Sequence, residues 1–222
     1  MTNLHPRFLA SHVVKYSPRA NTVELFLDYN CKFSAKMFKK VQDELVPLLQ
    51  ERQLDEKYNL VFVNVIQPWH GLQSSVLHEV SLAVARVHPE AFWTVSRVLF
   101  DHGTEFFDTE VYRKSRADLT TEVLALLRSE AGAAIGASGA EQEDRWQAVE
   151  QLLQVVGVDE QGPPRNDGTG VIKDSKYFTR YQRTIGVHVT PSVVVNGVLV
   201  PQIESSTEAT AIVDILEKVC NW

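Results

Sequence analysis

Two cysteines in 222 residues, Cys31 and Cys220, are too few and too far apart in the chain to build a disulfide framework. The opening stretch "MTNLHPRFLASHVVKYSPRA" has no apolar run of the length an export signal needs, so no signal peptide is expected. No segment approaches the ~20 apolar residues of a membrane span. Positive charge is in deficit, with 22 Lys and Arg against 28 Asp and Glu, a net −6. That balance argues against a nucleic acid or an anionic membrane surface as the main partner. No repeat of fixed period is visible, and the cysteine and histidine spacings match no zinc pattern, so no metal is expected. These absences point to a soluble cytoplasmic protein with free thiols. Apolar residues make up 44% and charged residues 23%, ordinary values for a globular chain. The length suits one large domain, or a domain with a sizeable insertion.

"NTVELFL" (Asn21–Leu27) reads as a short strand ending at Asp28. From Cys31 the spacing turns helical, with Phe38, Val41, Leu45 and Leu48 or Leu49 on one face and Lys36, Lys39, Lys40 and Asp43 largely off it. Pro47 either kinks this helix or begins a second one. "NLVFVNVI" (Asn59–Ile66) is a nearly continuous β-branched run, the pattern of a buried strand. Strand, helix and strand at this spacing predict a parallel βαβ unit.

Residues 71–170 read as all-helical. "SSVLHEVSLAVARV" places Val76 or Leu77, Val80, Ala83 or Val84, and Val87 on one apolar face. Pro89 opens a second helix, whose aromatics in "FWTVSRVLF" read as core. Asp118 is the expected N-cap of a third, and "AEQEDRWQAVEQLLQVV" is a fourth, its "EQED" solvated. Two breaker-rich loops, "AGAAIGASGA" and "GVDEQGPPRNDGTG", follow the third and fourth. In residues 171–222, "DSKYFTRYQRTIGV" predicts a helix ending near Gly186, and "TPSVVVNGVLVP" a hairpin turning at Asn196-Gly197. Ser205 and Glu208 have capping-box spacing ahead of a final helix with an apolar stripe at Ala209, Ile212 or Val213, Leu216 and Val219.

This order is an α/β arrangement in which residues 1–70 and 171–222 form the two halves of one domain around an inserted helical segment, 71–170. It resembles the thioredoxin-like superfamily, a βαβ–ββα core, and within it the bacterial disulfide-oxidase (DsbA-like) branch, which carries such an insertion. "FLDYNC" followed by "KFS" stands where that family has a strand, a polar residue and C-x-x-C; "GVHVTPSVVVNG" resembles its second signature, a cis-proline ahead of a strand and hairpin. The resemblance spans about Thr22 to Val219. It departs from the family at Lys32 and Ser34.

The resemblance implies that Cys31 is a nucleophile at the first turn of a helix, where unpaired N–H groups and the dipole favour a thiolate. Lys32 is adjacent, and the Ser34 hydroxyl is positioned to donate to the sulfur. The competing reading is a small apolar cysteine filling a strand end. A C-x-x-S site forms a mixed disulfide but cannot resolve it, so an external thiol, in a cytosol most often glutathione, must do so. Glutathione is therefore the expected co-substrate, with no tightly bound cofactor. "CKFS" also resembles the C-G-F-S of monothiol glutaredoxins, but Lys32 replaces their glycine and they lack the insertion, so no iron–sulfur cluster is expected.

By the same resemblance Pro191 is cis, and Val189 and Thr190 contact an extended substrate beside Asn30, Cys31, Lys32 and Phe33. "QPWHG" leaves the second strand at the edge where such sheets present loops to ligands, which places Trp69 at the rim of the groove and His70 there as an acid or base. His188 lies near the proline loop. Cys220, beside the Leu216 stripe, is expected in the core or as a free thiol. Three functions follow: a monothiol thiol-disulfide oxidoreductase using Cys31; a glutathione-dependent transferase or isomerase resembling the kappa class, with Ser34 activating glutathione; or a module that binds a peptide or partner without catalysis.

Overall fold

The computed structural model describes residues 4–136, 138–158 and 161–220. Its centre is a four-stranded sheet in the order β2-β1-β3-β4. The strands β1 (Asn21–Leu27) and β2 (Tyr58–Asn64) pair in parallel, from Asn21 opposite Tyr58 to Leu27 opposite Asn64. Strand β3 (Ser192–Val195) runs antiparallel to β1, with Ser192 opposite Phe26, and β4 (Val198–Leu199) completes the hairpin. Every residue of β2 is buried, as its unbroken β-branched run requires for a strand covered on both faces. Asn196 and Gly197 have φ of 51° and 85°, the left-handed pair of a type I′ turn.

The connection between β1 and β2 is helix α1 (Lys32–Lys40), one π-helical turn at Val41–Leu45, and α2 (Val46–Glu51). Pro47 explains the interruption. In a continuous α-helix its ring would press on the carbonyl four residues back; widening the preceding turn, where Val46 N–H bonds the Val41 carbonyl, shifts that carbonyl away. Phe38, Val41, Leu45 and Leu49 are buried as the spacing predicted. Lys40 is not on a solvated face: it is 7% exposed, and its ammonium bonds the carbonyls of Ser205 (3.2 Å) and Thr207 (2.5 Å). Burial of that stem is tolerated because the charged head meets two acceptors.

The insertion contains α3 (Gly71–Val87), α4 (Phe92–Asp101), α5 (Arg116–Glu130) and α6 (Ala140–Leu153). The expected single apolar stripe on α3 is corrected by the structure. Packed against α4, α5 and α6, this helix is buried nearly all round, including Ser74, His78, Glu79 and Ser81. The N-cap of α5 is Ser115 rather than Asp118, which sits at the third helical position and closes a capping box back to Ser115. The stretch "AGAAIGASGA" includes a helical turn, Gly132–Ile135, while Ala137 lies outside the described residues. The fourth helix stops at Leu153, short of the expected Val155 and Val156; Val155 instead bridges Thr169 of the second loop, in which residues 159 and 160 lie outside the description.

Helix α7 (Ile172–Ile185) ends at Gly186, φ 77°, and α8 (Ala209–Cys220) closes the chain. Ser205 and Glu208 do not form the expected box; the Thr207 hydroxyl instead accepts from Glu204 N–H (2.9 Å). Among the described residues no helix is long and apolar enough to cross a membrane.

Candidate functional site

Strand β1 delivers its C-terminal end to a tight turn. Asp28 carbonyl accepts Cys31 N–H (3.1 Å), and Cys31 carbonyl accepts Ala35 N–H (3.0 Å), which makes Cys31 the N-cap of α1. Because β3 runs antiparallel with Ser192 opposite Phe26, the residues just before β3 arrive beside this turn. The Thr190–Pro191 bond is cis, and Cys31 Sγ lies 3.4 Å from the Thr190 carbonyl, to which the thiol donates. Cys31 is 6% exposed.

Ser34 does not turn to the sulfur. Its side chain is fully buried, and its hydroxyl accepts from Asp28 N–H at 3.2 Å, pinning α1 to the end of β1. Lys32 and Phe33 point outward from the first turn, with the Lys32 ammonium 5.2 Å from the Phe33 ring centroid.

A cleft of about 440 Å³ opens beside Cys31. Asn30, Lys32, Phe33, Trp69 and His70 line it from the sheet domain; Phe107, Asp108 and Thr109 close it from the insertion. Trp69 is 63% exposed, an unusual position for so large an apolar surface. Val189 is also exposed, next to Thr190. His188 is exposed, and its carbonyl accepts from Gln67 Nε2 (3.0 Å), which ties the proline loop to the loop after β2. Among the described residues no group of three His, Cys, Asp or Glu side chains could hold a metal.

Beneath the cleft sits Asp28, fully buried. Its Oδ2 accepts from Gln67 N–H (2.8 Å) and from His70 Nδ1–H (2.8 Å), and its Oδ1 from Asn30 N–H (3.0 Å) and the Ser74 hydroxyl (2.8 Å). His78, fully buried on α3, places Nε2 3.5 Å from Oδ1. Burial alone would push this carboxyl up; the bonds from His70, His78 and Gln67 outweigh it and hold the group well below the usual carboxylate range. From His78 a chain of hydrogen bonds continues inward. Asn64 Nδ2 donates to His78 Nδ1 (2.8 Å), His12 Nε2 donates to Asn64 Oδ1 (2.8 Å), and Ser11 donates to His12 Nδ1 (2.7 Å).

The structure thus brings Asn30, Cys31, Lys32, Phe33, Trp69 and His70 to one cleft, sets Thr190 and Pro191 against Cys31, and leaves Ser34 behind the turn. The sequence reading missed Asp28 as the hub, together with Asn64, Gln67, Ser74 and His78. The signal available was polar residues within apolar surroundings, Asn64 inside β2 and His78 inside α3. Phe107 to Thr109 carried no pattern of their own. Cys220 lies apart: Asn196 Nδ2 is 4.0 Å from its sulfur, at the end of β3 opposite Pro191, and burial raises its thiol.

No protein-family model and no curated protein sequence matches the chain. Solved structures do match. A proposed protein-disulfide isomerase from Pseudomonas syringae superposes with a TM-score of 0.66 at 20% identity, over 94% of this chain and 99% of its own. BdbD from Bacillus subtilis gives 0.59 at 17% identity, over 94% and 92% of the two chains. A thioredoxin-like oxidoreductase from Silicibacter pomeroyi gives 0.57 at 19% identity, over 99% of each. The chain therefore has a thioredoxin-like α/β fold, a four-stranded sheet core with a helical insertion.

Proposed function

We propose that this protein is a monothiol thiol-disulfide oxidoreductase in which Cys31 forms a mixed disulfide with a thiol- or disulfide-containing substrate. The observation that carries this reading is the placement of Cys31 Sγ at the N-terminus of α1, 3.4 Å from the carbonyl preceding a cis-proline, at the side of an open cleft. Exchange uses the sulfur as its nucleophile, and this placement sets the sulfur beside the cleft. Exposed Phe33, Trp69 and Val189 offer apolar surface to a substrate chain lying along Thr190. With serine at position 34, the mixed disulfide waits for an outside thiol, and glutathione in a reducing, cytoplasmic compartment fits that requirement. A kappa-class-type reaction is disfavoured, because the Ser34 hydroxyl is buried and engaged with Asp28 N–H.

The 94% shielding implied by the 6% exposure of Cys31 favours one rival, a module that uses the same cleft to hold a partner without chemistry. Incubation with glutathione disulfide followed by mass spectrometry separates the two. Exchange predicts one adduct, on Cys31, that persists until a further thiol is added. Cys220, whose thiol is raised by burial, should stay unmodified at neutral pH. Modification of Cys220 with Cys31 untouched would give the binding module first place.

A further inference from the structure

Thiol-disulfide exchange moves protons as well as sulfur, and Ser34, turned away from Cys31, is not placed to carry them. His70 is. Its Nδ1–H is committed to Asp28 Oδ2 at 2.8 Å, its carbonyl is held by Asn30 Nδ2 at 2.9 Å, and its side chain remains 20% exposed. A neutral imidazole with its proton on Nδ1 carries its lone pair on Nε2. Asp28 cannot rotate away to release the ring, because Gln67 N–H, Asn30 N–H and the Ser74 hydroxyl fix both of its oxygens. Its negative charge also faces the imidazolium that proton uptake creates. His70 and Cys31 line the same cleft, joined through Asn30.

We propose that His70, oriented by Asp28, is the proton carrier for Cys31, an inference that rests on the exchange reading above. In the first step Cys31 gives its proton to His70, and its sulfur attacks a disulfide R–S–S–R. An S–S bond breaks, Cys31–S–S–R forms, and the departing R–S⁻ takes the proton from His70. In the second step an outside thiol R′–SH passes its proton to His70 and attacks the R sulfur. R–S–S–R′ forms, and Cys31 leaves as a thiolate that His70 reprotonates. The disulfide substrate is the oxidant and R′–SH the reductant, so Cys31 ends as it began. Asp28 is a positioning residue in this scheme. The other titratable groups lining the cleft with His70 are Cys31 at the N-cap of α1, Lys32 in its first turn and Asp108 from the insertion; Asp108 Oδ1 is occupied by Gln73 Nε2 (2.6 Å).

The test is His70→Asn in a Cys220→Ser background, because an asparagine amide can occupy the position of Nδ1–H against Asp28 while Nε2 is lost. The rate of Cys31 modification by glutathione disulfide is measured from pH 6 to pH 10. The variant should be at least tenfold slower than the parent at pH 7, within the range of proton-transfer catalysis. The two rates should converge above about pH 9, where a thiol ionises without help. Free imidazole should restore part of the lost rate in His70→Gly. Equal rates at every pH, or a loss by one factor throughout, would overturn the role of His70. If Cys31 in the parent accepts no glutathione at any pH, the exchange reading fails, and this inference with it.

Discussion

His12 offers a test of the buried network that needs no knowledge of the substrate. The imidazole is fully buried, its centroid 4.0 Å from that of Phe92 and 5.0 Å from that of Phe178, both rings stacked on it. A neutral ring is fully satisfied there, receiving from Ser11 and donating to Asn64. A second proton would place a charge between two phenyl rings. Burial, partly offset by the Asn64 bond and aided by nearby His78, lowers the group from 6.5 to about 3. The folded state therefore binds fewer protons than the unfolded state between those values, and stability falls as the pH falls through that window. At ~1.4 kcal/mol per pH unit, the loss between pH 7.5 and pH 5 attributable to His12 is about 2 kcal/mol.

The perturbation is His12→Gln, which keeps polar atoms near Ser11 and Asn64 but does not titrate. Urea unfolding at pH 7.5 and at pH 5 should show the wild type losing about 2 kcal/mol more than the variant over that interval. The variant will be less stable in absolute terms, by ~1–3 kcal/mol for imperfectly met hydrogen bonds, and only the difference of differences matters. Glu24, whose carboxyl burial pushes up against the opposing bond from Tyr181, titrates in both proteins and cancels. A pH dependence unchanged within about 0.5 kcal/mol would refute the claim that His12 is held neutral by its surroundings.

Two further outcomes follow from the same geometry. Asp28→Asn replaces an acceptor oxygen by an amide, leaving two of the donors Gln67 N–H, His70 Nδ1–H, Asn30 N–H and the Ser74 hydroxyl without a partner; denaturant unfolding should show a loss of about 2–5 kcal/mol, and a change below about 1 kcal/mol would contradict the role of hub. Ser34→Cys restores C-x-x-C spacing, and should allow a mild oxidant to form an internal disulfide with Cys31 that mass spectrometry detects as a loss of two hydrogens; persistence of both thiols under that oxidant would show that the turn geometry forbids the bridge.

Much of the fold was legible because its elements announce themselves by period. The β-branched run of β2, the short apolar run of β1 and the Asn-Gly turn each carry a local physical cause, and each appears where its pattern stands. Two of the errors have a clear local cause. Asp118 lost the capping position to Ser115 because both can cap and only the local backbone decides which does. The single stripe read on α3 failed because a helix surrounded by three others buries polar positions too, and hydrophobic period sees only one face. The rim of the candidate site was readable through contiguous stretches, "NCKF", "QPWH" and "VTP". Its foundation was not. Asp28 follows β1, Asn64 ends β2, and Ser74 and His78 stand on α3, and only the register of β1 against β2 and the packing of α3 bring them to one point.

That foundation couples the stability of the fold to the chemistry of the site. The four short bonds into Asp28 hold the turn before Cys31, the loop bearing Trp69 and His70, and the first turn of α3. Because the Asp28 carboxyl lies well below the usual carboxylate range, the stability it contributes is present above the unfolded value near 3.9 and is lost only as the pH falls further. His12 acts in the opposite part of the scale, withdrawing stability from about pH 6.5 downward. Acid therefore acts first at His12, stacked between Phe92 and Phe178, while Asp28 still holds His70 in place. The arrangement keeps His70 oriented across the pH range over which the proposed exchange is to be measured, and it does so with a carboxylate buried beneath the cleft.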